Sequence, residues 1–575
     1  MWRLRAYAKP YLVTVAVVAV LVFLEVMATL KLPDLMSQIV DEGIAFGNIP
    51  LIWNTGGVML VVALGGVLCA ILGNFLASRA STRFGRDLRF AVFSRVGEFA
   101  PREFNQFGTA SLITRTTNDV QQMQQMFHTS MRMAMRAPLM GVGGVLMVVR
   151  KDSSLALMLL GLIPIIAITI IFVIVKGIPL FKSLQQKLDR LNLVLREQLM
   201  GVRVIRAFDR GQYEQERFDR SNRDLTGMGL RVGRLMVTLM PILGLIINFT
   251  NILILWFAAK RIDLGLMQVG DLMAFLQYTM QIFMAVMMLS MLFVMLPRAS
   301  ASAERIAEVL DTEVAIGDPE KPERIESGVG VVRFEDVTFR YPGAAEPVLN
   351  KIRFTAYPGQ ITAIIGGTGS GKSTILDLVP RFHDPEQGQI TLDGVDLRNL
   401  SQEDLRSRLG YVPQKAVLFS GTIASNIRGG KRDATDEEVR AAADVAQAAG
   451  FIEEREEGYD SYIAQGGTNV SGGQKQRLSI ARALVRKPQI YLLDDTFSAL
   501  DYRTDALLRT QLATYAKDAT IIVVAQRVST ILHADQILVL DQGKIVGQGT
   551  HETLLADCEV YQEIVASQFG EGAVS

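Results

Sequence analysis

The residues from Gly366 to Thr374, GGTGSGKST, place glycines, a lysine and hydroxyls at the spacing GxxxxGK[ST]. Glycines let successive backbone N–H groups turn inward toward phosphate, and a helix starting here adds positive potential. Lys372 then reaches terminal phosphates and Ser373 is a magnesium ligand, with Gly366, Gly367, Thr368, Gly369, Ser370, Gly371 and Thr374 completing the phosphate cradle. The apolar run Ile361 to Ile365 before the loop and the helix-compatible Thr374 to Val379 after it supply the strand–loop–helix setting that this chemistry needs. Asp494 closes another apolar run, Ile490 to Leu493, where a strand-end carboxylate holds magnesium, usually through water. ATP with Mg2+ is the expected ligand pair.

These residues need a sheet to hold them. From Val331 onward, β-branched runs (VVRFEDVTF, ITAIIGG, GQITLDG, QIYLLDD, TIIVVAQ and QILVLDQGKIVGQG) alternate with helix-like segments, which predicts an α/β domain over 331–575. A charged linker with two prolines falls within 301–330. Residues 1–300 have another character, and the chain as a whole is 49% hydrophobic and only 20% charged. Apolar stretches suited to spanning helices recur at Tyr11 to Leu32, Leu51 to Ala77, Ala134 to Val149, Leu155 to Val175, Leu235 to Ala259 and Met267 to Leu296, an all-α domain of six spans. The first has no small-residue cleavage site and reads as a retained helix. Arg79, Arg83, Arg86, Arg89, Arg95, Arg102 and Arg115 crowd one long connection and Lys176 to Arg234 is also basic, whereas Pro33 to Pro50 carries only acidic charges. Both termini and both long connections are therefore expected in the cytoplasm. Helical spacing in those connections, as in LDRLNLVLREQLMGVRVIRAF, predicts spanning helices prolonged beyond the membrane. The net charge of +1 and the lack of a basic stripe argue against nucleic acid as a partner. Cys69 and Cys558 lie in different halves and show neither a disulfide framework nor metal-ligand spacing.

The sequence VSGGQ (Val470 to Gln474), followed by the basic helix-like KQRLSIARAL, joins the phosphate loop and YLLDDTFSALD in a fixed order. With six spans ahead of them, these motifs resemble half-transporters of the ATP-binding cassette (ABC) exporter family over nearly the whole chain. The resemblance implies a type I exporter fold. It also implies that Tyr341 stacks on adenine, that Gln414 contacts magnesium and relays nucleotide state, and that Ser471, Gly472, Gly473 and Gln474 face ATP held by a partner domain. Asp501 would cross the dimer interface, and Phe104 to Leu112 and Phe208 to Phe218 would be coupling helices.

Two positions depart from that pattern. The general base that follows Asp494 is usually Glu, and here it is Asp495, shorter by one methylene, about a bond length. The usual switch histidine is Gln526, which hydrogen-bonds phosphate but neither carries charge nor exchanges a proton near neutral pH. Gln465 and Gly467 stand where a charged pair often precedes the signature. Asp495 and Gln526 together point to a site that binds ATP and hydrolyses it slowly, as in the degenerate half of heterodimeric multidrug exporters of the bacterial cytoplasmic membrane. A homodimer with two slow sites and an ATP-gated channel are the alternatives.

Cargo is less defined. Met273, Met280, Met284, Met287 and Met291 recur near one helical face, suited either to apolar cargo or to lipid and helix packing. Glu25 lies inside the first span, where it either receives a cationic cargo or pairs with a basic residue of a neighbouring helix. Arg132 and Arg136 are expected near the inner interface, where they can snorkel. Amphipathic drugs or lipids are the expected substrate class, and a second half-transporter and the bilayer the expected partners.

Overall fold

A computed structural model describes residues 4–326 and 328–569. The chain forms two compact units: Met1–Gly97 with Ala110–Thr312, and Glu98–Thr109 with Glu313–Ser575.

Among the described residues of the first unit, six helices are long and apolar enough to cross a membrane: α1 (Leu12–Gln38), α2 (Ile49–Gly97), α3 (Val120–Lys151), α4 (Ser153–Met200), α5 (Gly211–Asp263) and α6 (Val269–Asp311). With 49 residues, α2 is a rod of about 74 Å, more than twice the thickness of a bilayer's hydrocarbon core. Such helices necessarily run on past the membrane. Pro297 does not end α6, which continues through the amphipathic 299–310 stretch to Asp311. Helix backbone tolerates proline where neighbouring helices re-satisfy the freed carbonyl.

Polar ties fasten these helices. At one end, Lys151 of α3 meets Asp34 (3.0 Å) and Asp271 (2.8 Å), joining α1, α3 and α6, while Asp41 accepts from the Gly270 backbone at 2.6 Å. Along the helix extensions, buried Asp119 accepts from Ser302 (2.9 Å) and from Arg305 Nε (2.8 Å). Each carboxylate is thereby compensated, as burial requires.

The second unit is built on a six-stranded sheet of β1 (Ile361–Gly366), β2 (Leu409–Val412), β3 (Ile490–Asp494), β4 (Thr520–Val524), β5 (Gln536–Asp541) and β6 (Lys544–Gly549), in the order β6-β5-β1-β4-β3-β2. All neighbours are parallel except β5 and β6. Buried on both faces, β3 and β4 read as unbroken apolar runs, the pattern of central parallel strands. An antiparallel sheet of Val332–Phe339, Leu349–Ala356, Gln387–Leu392 and Val395–Asp396 stands beside it, and a second apolar core joins the two around Phe334, Ile364 and Leu492. The first predicted coupling segment, Phe104 to Leu112, is split at Gly108 (φ +74°) between two short helices, Pro101–Phe107, which belongs to this second unit, and Thr109–Thr114. In the other connection the short helix is Val202–Ala207, ahead of the predicted Phe208 to Phe218.

Candidate nucleotide site

Parallel strands deliver their carboxyl ends to one edge of the sheet, and loops leaving that edge are where ligands bind in open α/β sheets. The phosphate loop leaves β1, Gln414 follows β2, Asp494 ends β3 and Gln526 follows β4. Val524 pairs with both Ile364 and Asp494 in register, so three of these loops start at one level.

The loop's shape depends on its glycines. Gly369 and Gly371 adopt φ of +82° and +99°, and a Cβ on Gly366 would sit 2.1 Å from the Leu540 carbonyl. Gly371 caps α7 (Lys372–Leu378) without a side-chain hydrogen bond. Lys372 Nζ donates to the carbonyls of Gly366 (2.9 Å) and Gly367 (2.7 Å), folding back over its own loop. Burial lowers its pKa, although Asp495 and Asp494 pull the other way. Ser370 Oγ is buried without a hydrogen bond. An inward-facing cation and an unsatisfied hydroxyl fit a phosphate chain, which would accept from both.

Ser373 Oγ donates to Asp494 Oδ1 at 3.0 Å, and burial raises the Asp494 pKa against that bond. A hydroxyl and a carboxylate this close are oxygens of the kind that could both ligate a magnesium ion. Next along the chain, Asp495 takes a left-handed backbone (φ +43°) and its Oδ2 accepts from Gln526 Nε2 at 2.8 Å and Gln414 Nε2 at 3.3 Å. Tyr341 packs edge-on against Phe339 and His383, with its hydroxyl 3.2 Å from Thr374 Oγ1. A cavity of about 360 Å3 gathers Tyr341, Thr368, Gly369, Gly371, Lys372, Ser373, Thr374, Gln414, Asp494, Asp495 and Gln526, together with Val348 and Val524.

Other predicted residues lie elsewhere. Ser471 caps α8 (Gly472–Leu484) in a reciprocal arrangement, accepting from Gln474 N at 3.3 Å while Gln474 Oε1 accepts from Ser471 N at 3.1 Å. That leaves the backbone at Gly472, beside which a Cβ would meet nothing within 4 Å, open at a helix N-terminus of positive potential. Asp501 caps α9 (Tyr502–Tyr515) through Thr504 N at 3.0 Å. Neither the signature nor Asp501 lines the cavity. In the helical unit, Met284 and Met291 are exposed and Met287 is half-buried, opposite the buried face of Phe275, Tyr278 and Ile282. Glu25 is 5% exposed and bonds Arg136 Nη1 at 2.7 Å, with Arg132 Nη2 at 3.5 Å. Pairing, not an open carboxylate awaiting a cation, is what the structure contains. Those two arginines correspondingly point at a carboxylate instead of snorkelling to the interface.

Two further groups carry no mark in the sequence. Gln568 in α10 (Glu559–Phe569) donates to the Gln526 carbonyl at 2.7 Å and accepts from Val528 N at 2.8 Å. Asp377, on α7, accepts from Tyr411 OH of β2 at 3.1 Å, and its pKa is pushed up to about 6 by burial.

Six spanning helices followed by this sheet and phosphate site define a transporter driven by ATP. Residues 15–286 match the family ABC transporter transmembrane region and residues 349–498 the family ABC transporter. The chain belongs to the ABC transporters, as an exporter half-transporter and multi-pass membrane protein that couples ATP hydrolysis to transport. It is 47% identical to an uncharacterized ABC transporter ATP-binding protein of Mycobacterium tuberculosis over 569 residues, covering 98% of this chain and 97% of the relative. It is 32% identical to an ATP-dependent lipid A-core flippase of Pseudomonas putida, covering 100% and 96%. A solved structure of a bacterial Atm1-family ABC exporter with ATP bound superposes with a TM-score of 0.81 at 28% identity, over 97% of this chain and 98% of the other.

Proposed function

We propose that this chain is the slow-hydrolysing half of a heterodimeric exporter in a bacterial cytoplasmic membrane, moving amphipathic drugs or lipids outward. The observation that carries this reading is the double amide grip on Asp495 Oδ2, by Gln526 at 2.8 Å and Gln414 at 3.3 Å. A carboxylate oxygen already accepting from two amide N–H groups is occupied where an attacking water would have to dock to be activated. Lys372, Ser370 and the glycine loop hold the phosphates of ATP. Ser373, Gln414 and Asp494 hold Mg2+, which would neutralise charge on the phosphates. The open helix start at Ser471–Gln474 is outside the cavity and suits a phosphate presented by a partner chain, whose own Glu and His perform hydrolysis. ATP at both sites then closes the nucleotide domains and turns the substrate path between the spanning helices outward, and its differential affinity for the closed state supplies the driving force.

The test is the chain purified alone and together with a candidate second half-transporter that carries Glu and His at the corresponding positions. Alone it is expected to bind ATP and to turn over little. In the pair, replacing the partner's Glu abolishes turnover, while Asp495→Asn leaves most of it. Brisk hydrolysis and pumping by this chain alone, or equal losses from the two substitutions, would overturn the assignment.

A further inference from the structure

The cluster at Glu25 carries more positive than negative charge. Among the described residues, both ion pairs of Arg132 and Arg136 go to this one carboxylate, and Arg132 Nη1 also donates to the neutral Asn74 Oδ1 at 2.8 Å. Guanidinium stays protonated in proteins, so with Glu25 ionised the group keeps a net charge of +1. The contacts are uneven as well. Glu25 Oε1 is well bonded at 2.7 Å, whereas Oε2 and Arg136 Nε are buried without a hydrogen bond.

Depth makes that surplus matter. Arg136 is fifteen residues before Lys151, which is tied to Asp34 and Asp271 at the far end of the helices. Fifteen residues are about 22 Å of helix, so with Lys151 at the outer boundary Arg136 falls inside the roughly 30 Å of hydrocarbon and Arg132, one turn further, near its inner edge. An ionisable group at that depth is costly unless compensated and marks a substrate path by default. The arginine side chains keep 22% and 28% of their surface accessible while Glu25 is closed off. What reaches this site from outside the chain meets guanidinium first.

We propose that Arg132 and Arg136, steadied by Glu25, form a subsite for the anionic headgroup of an amphiphile, a phosphate or carboxylate on an apolar tail. Four residues apart on α3, the two guanidiniums lie one above the other on a single helix face and present planar donors to oxygen anions. Glu25 holds them in place and leaves one positive charge for the ligand. A cationic headgroup would meet two like charges here. The inference deepens the reading of this chain as an exporter of amphiphiles by naming the charge of the cargo.

The experiment is equilibrium binding of radiolabelled dodecyl phosphate to the full chain in zwitterionic nanodiscs, after subtraction of protein-free discs. Binding needs no hydrolysis, so its outcome is separable from the question of which half cleaves ATP. Saturable binding is expected, weakened about tenfold or more by Arg136→Gln, largely retained in Arg136→Lys, and tightened in Glu25→Gln as the internal competitor is removed. Dodecyltrimethylammonium should not displace the probe. Displacement by phosphatidylglycerol in the disc supports the subsite and assigns it to a bilayer lipid, while displacement by dodecyl phosphate alone supports it for a free amphiphile. Inorganic phosphate displacing the probe as well as dodecyl phosphate does, equal affinity in Arg136→Gln, matched displacement by the cationic amphiphile or absence of saturable binding overturns it.

Discussion

Gln526 Nε2 donates to Asp495 Oδ2 at 2.8 Å, so the two residues that depart from the usual exporter pattern touch each other. The two positions are therefore structurally coupled. A shortened carboxylate leaves a gap that an amide can reach across, and the amide in turn occupies the oxygen that a water would need.

Reversing only one member should achieve little. Asp495→Glu lengthens the carboxylate but keeps the amide against it, and Gln526→His removes the amide but leaves the carboxylate short. The double substitution is expected to raise ATP hydrolysis by the chain alone by about 10² or more, within the range of a positioned general base, with each single change giving well under half of that on a logarithmic scale. Phosphate release by the purified full chain in nanodiscs is the measurement.

Gln568 makes the geometry of Gln526 depend on the last described helix. Its side chain bridges the Gln526 carbonyl and Val528 N, so Gln568→Ala removes two hydrogen bonds worth roughly 0.5–1.5 kcal/mol each. Faster amide exchange over residues 525–530 is expected, together with weaker stabilisation by ATP. Gln568→Glu retains the acceptor for Val528 N and loses the donor to the carbonyl, so it should recover about half of the protection.

The site was legible where its chemistry is local. Phosphate binding needs glycines, lysine and serine at consecutive positions, and Asp494 is marked by the apolar run it ends; the structure brings these together with Gln414, Asp495, Gln526 and Tyr341 around one cavity. Gln568 carries no such mark, since it lies 42 residues from its partner on an exposed helix face. Tyr411 sits in a four-residue strand, too short for alternation to show. The span read as Met267 to Leu296 is the apolar part of a longer helix, because hydropathy marks where lipid contact ends and not where the α6 backbone, which runs through Pro297 to Asp311, stops. The charge of Glu25 was visible, but its two partners come from a helix more than a hundred residues away, and pairing over that distance leaves no pattern in a single sequence.

Asp119 ties the extension of α3 to that of α6. It is 2% exposed and accepts from Ser302 and twice from Arg305, so Asp119→Ala strands those donors. Breaking one partner of a buried pair costs about 3–5 kcal/mol; Arg305 is 46% exposed and can rehydrate, so about 2 kcal/mol is expected. A lower thermal midpoint of the full chain in detergent checks this, and Asp119→Asn, which keeps acceptors for Ser302, should lose less.

Asp377 gives the nucleotide-binding unit a pH dependence whose sign follows from the direction of its shift. Burial and the neighbouring charge of Asp494 raise its pKa from 3.8 to about 6, outweighing the hydrogen bond from Tyr411. Between those values the folded state binds the proton and the unfolded state has lost it, so stability falls as pH rises from about 4 to about 6 and stays lowered above that. Asn preserves an acceptor for the Tyr411 hydroxyl without a charge to bury. Asp377→Asn should therefore raise the thermal midpoint of the full chain at pH 7.5, by more than it does at pH 5, where the native carboxyl is already mostly protonated. An equal gain at both pH values would show that Asp377 enters the folded core ionised throughout, and a loss at pH 7.5 would show that its charge is used, through Tyr411 and β2, to hold the Gln414 loop.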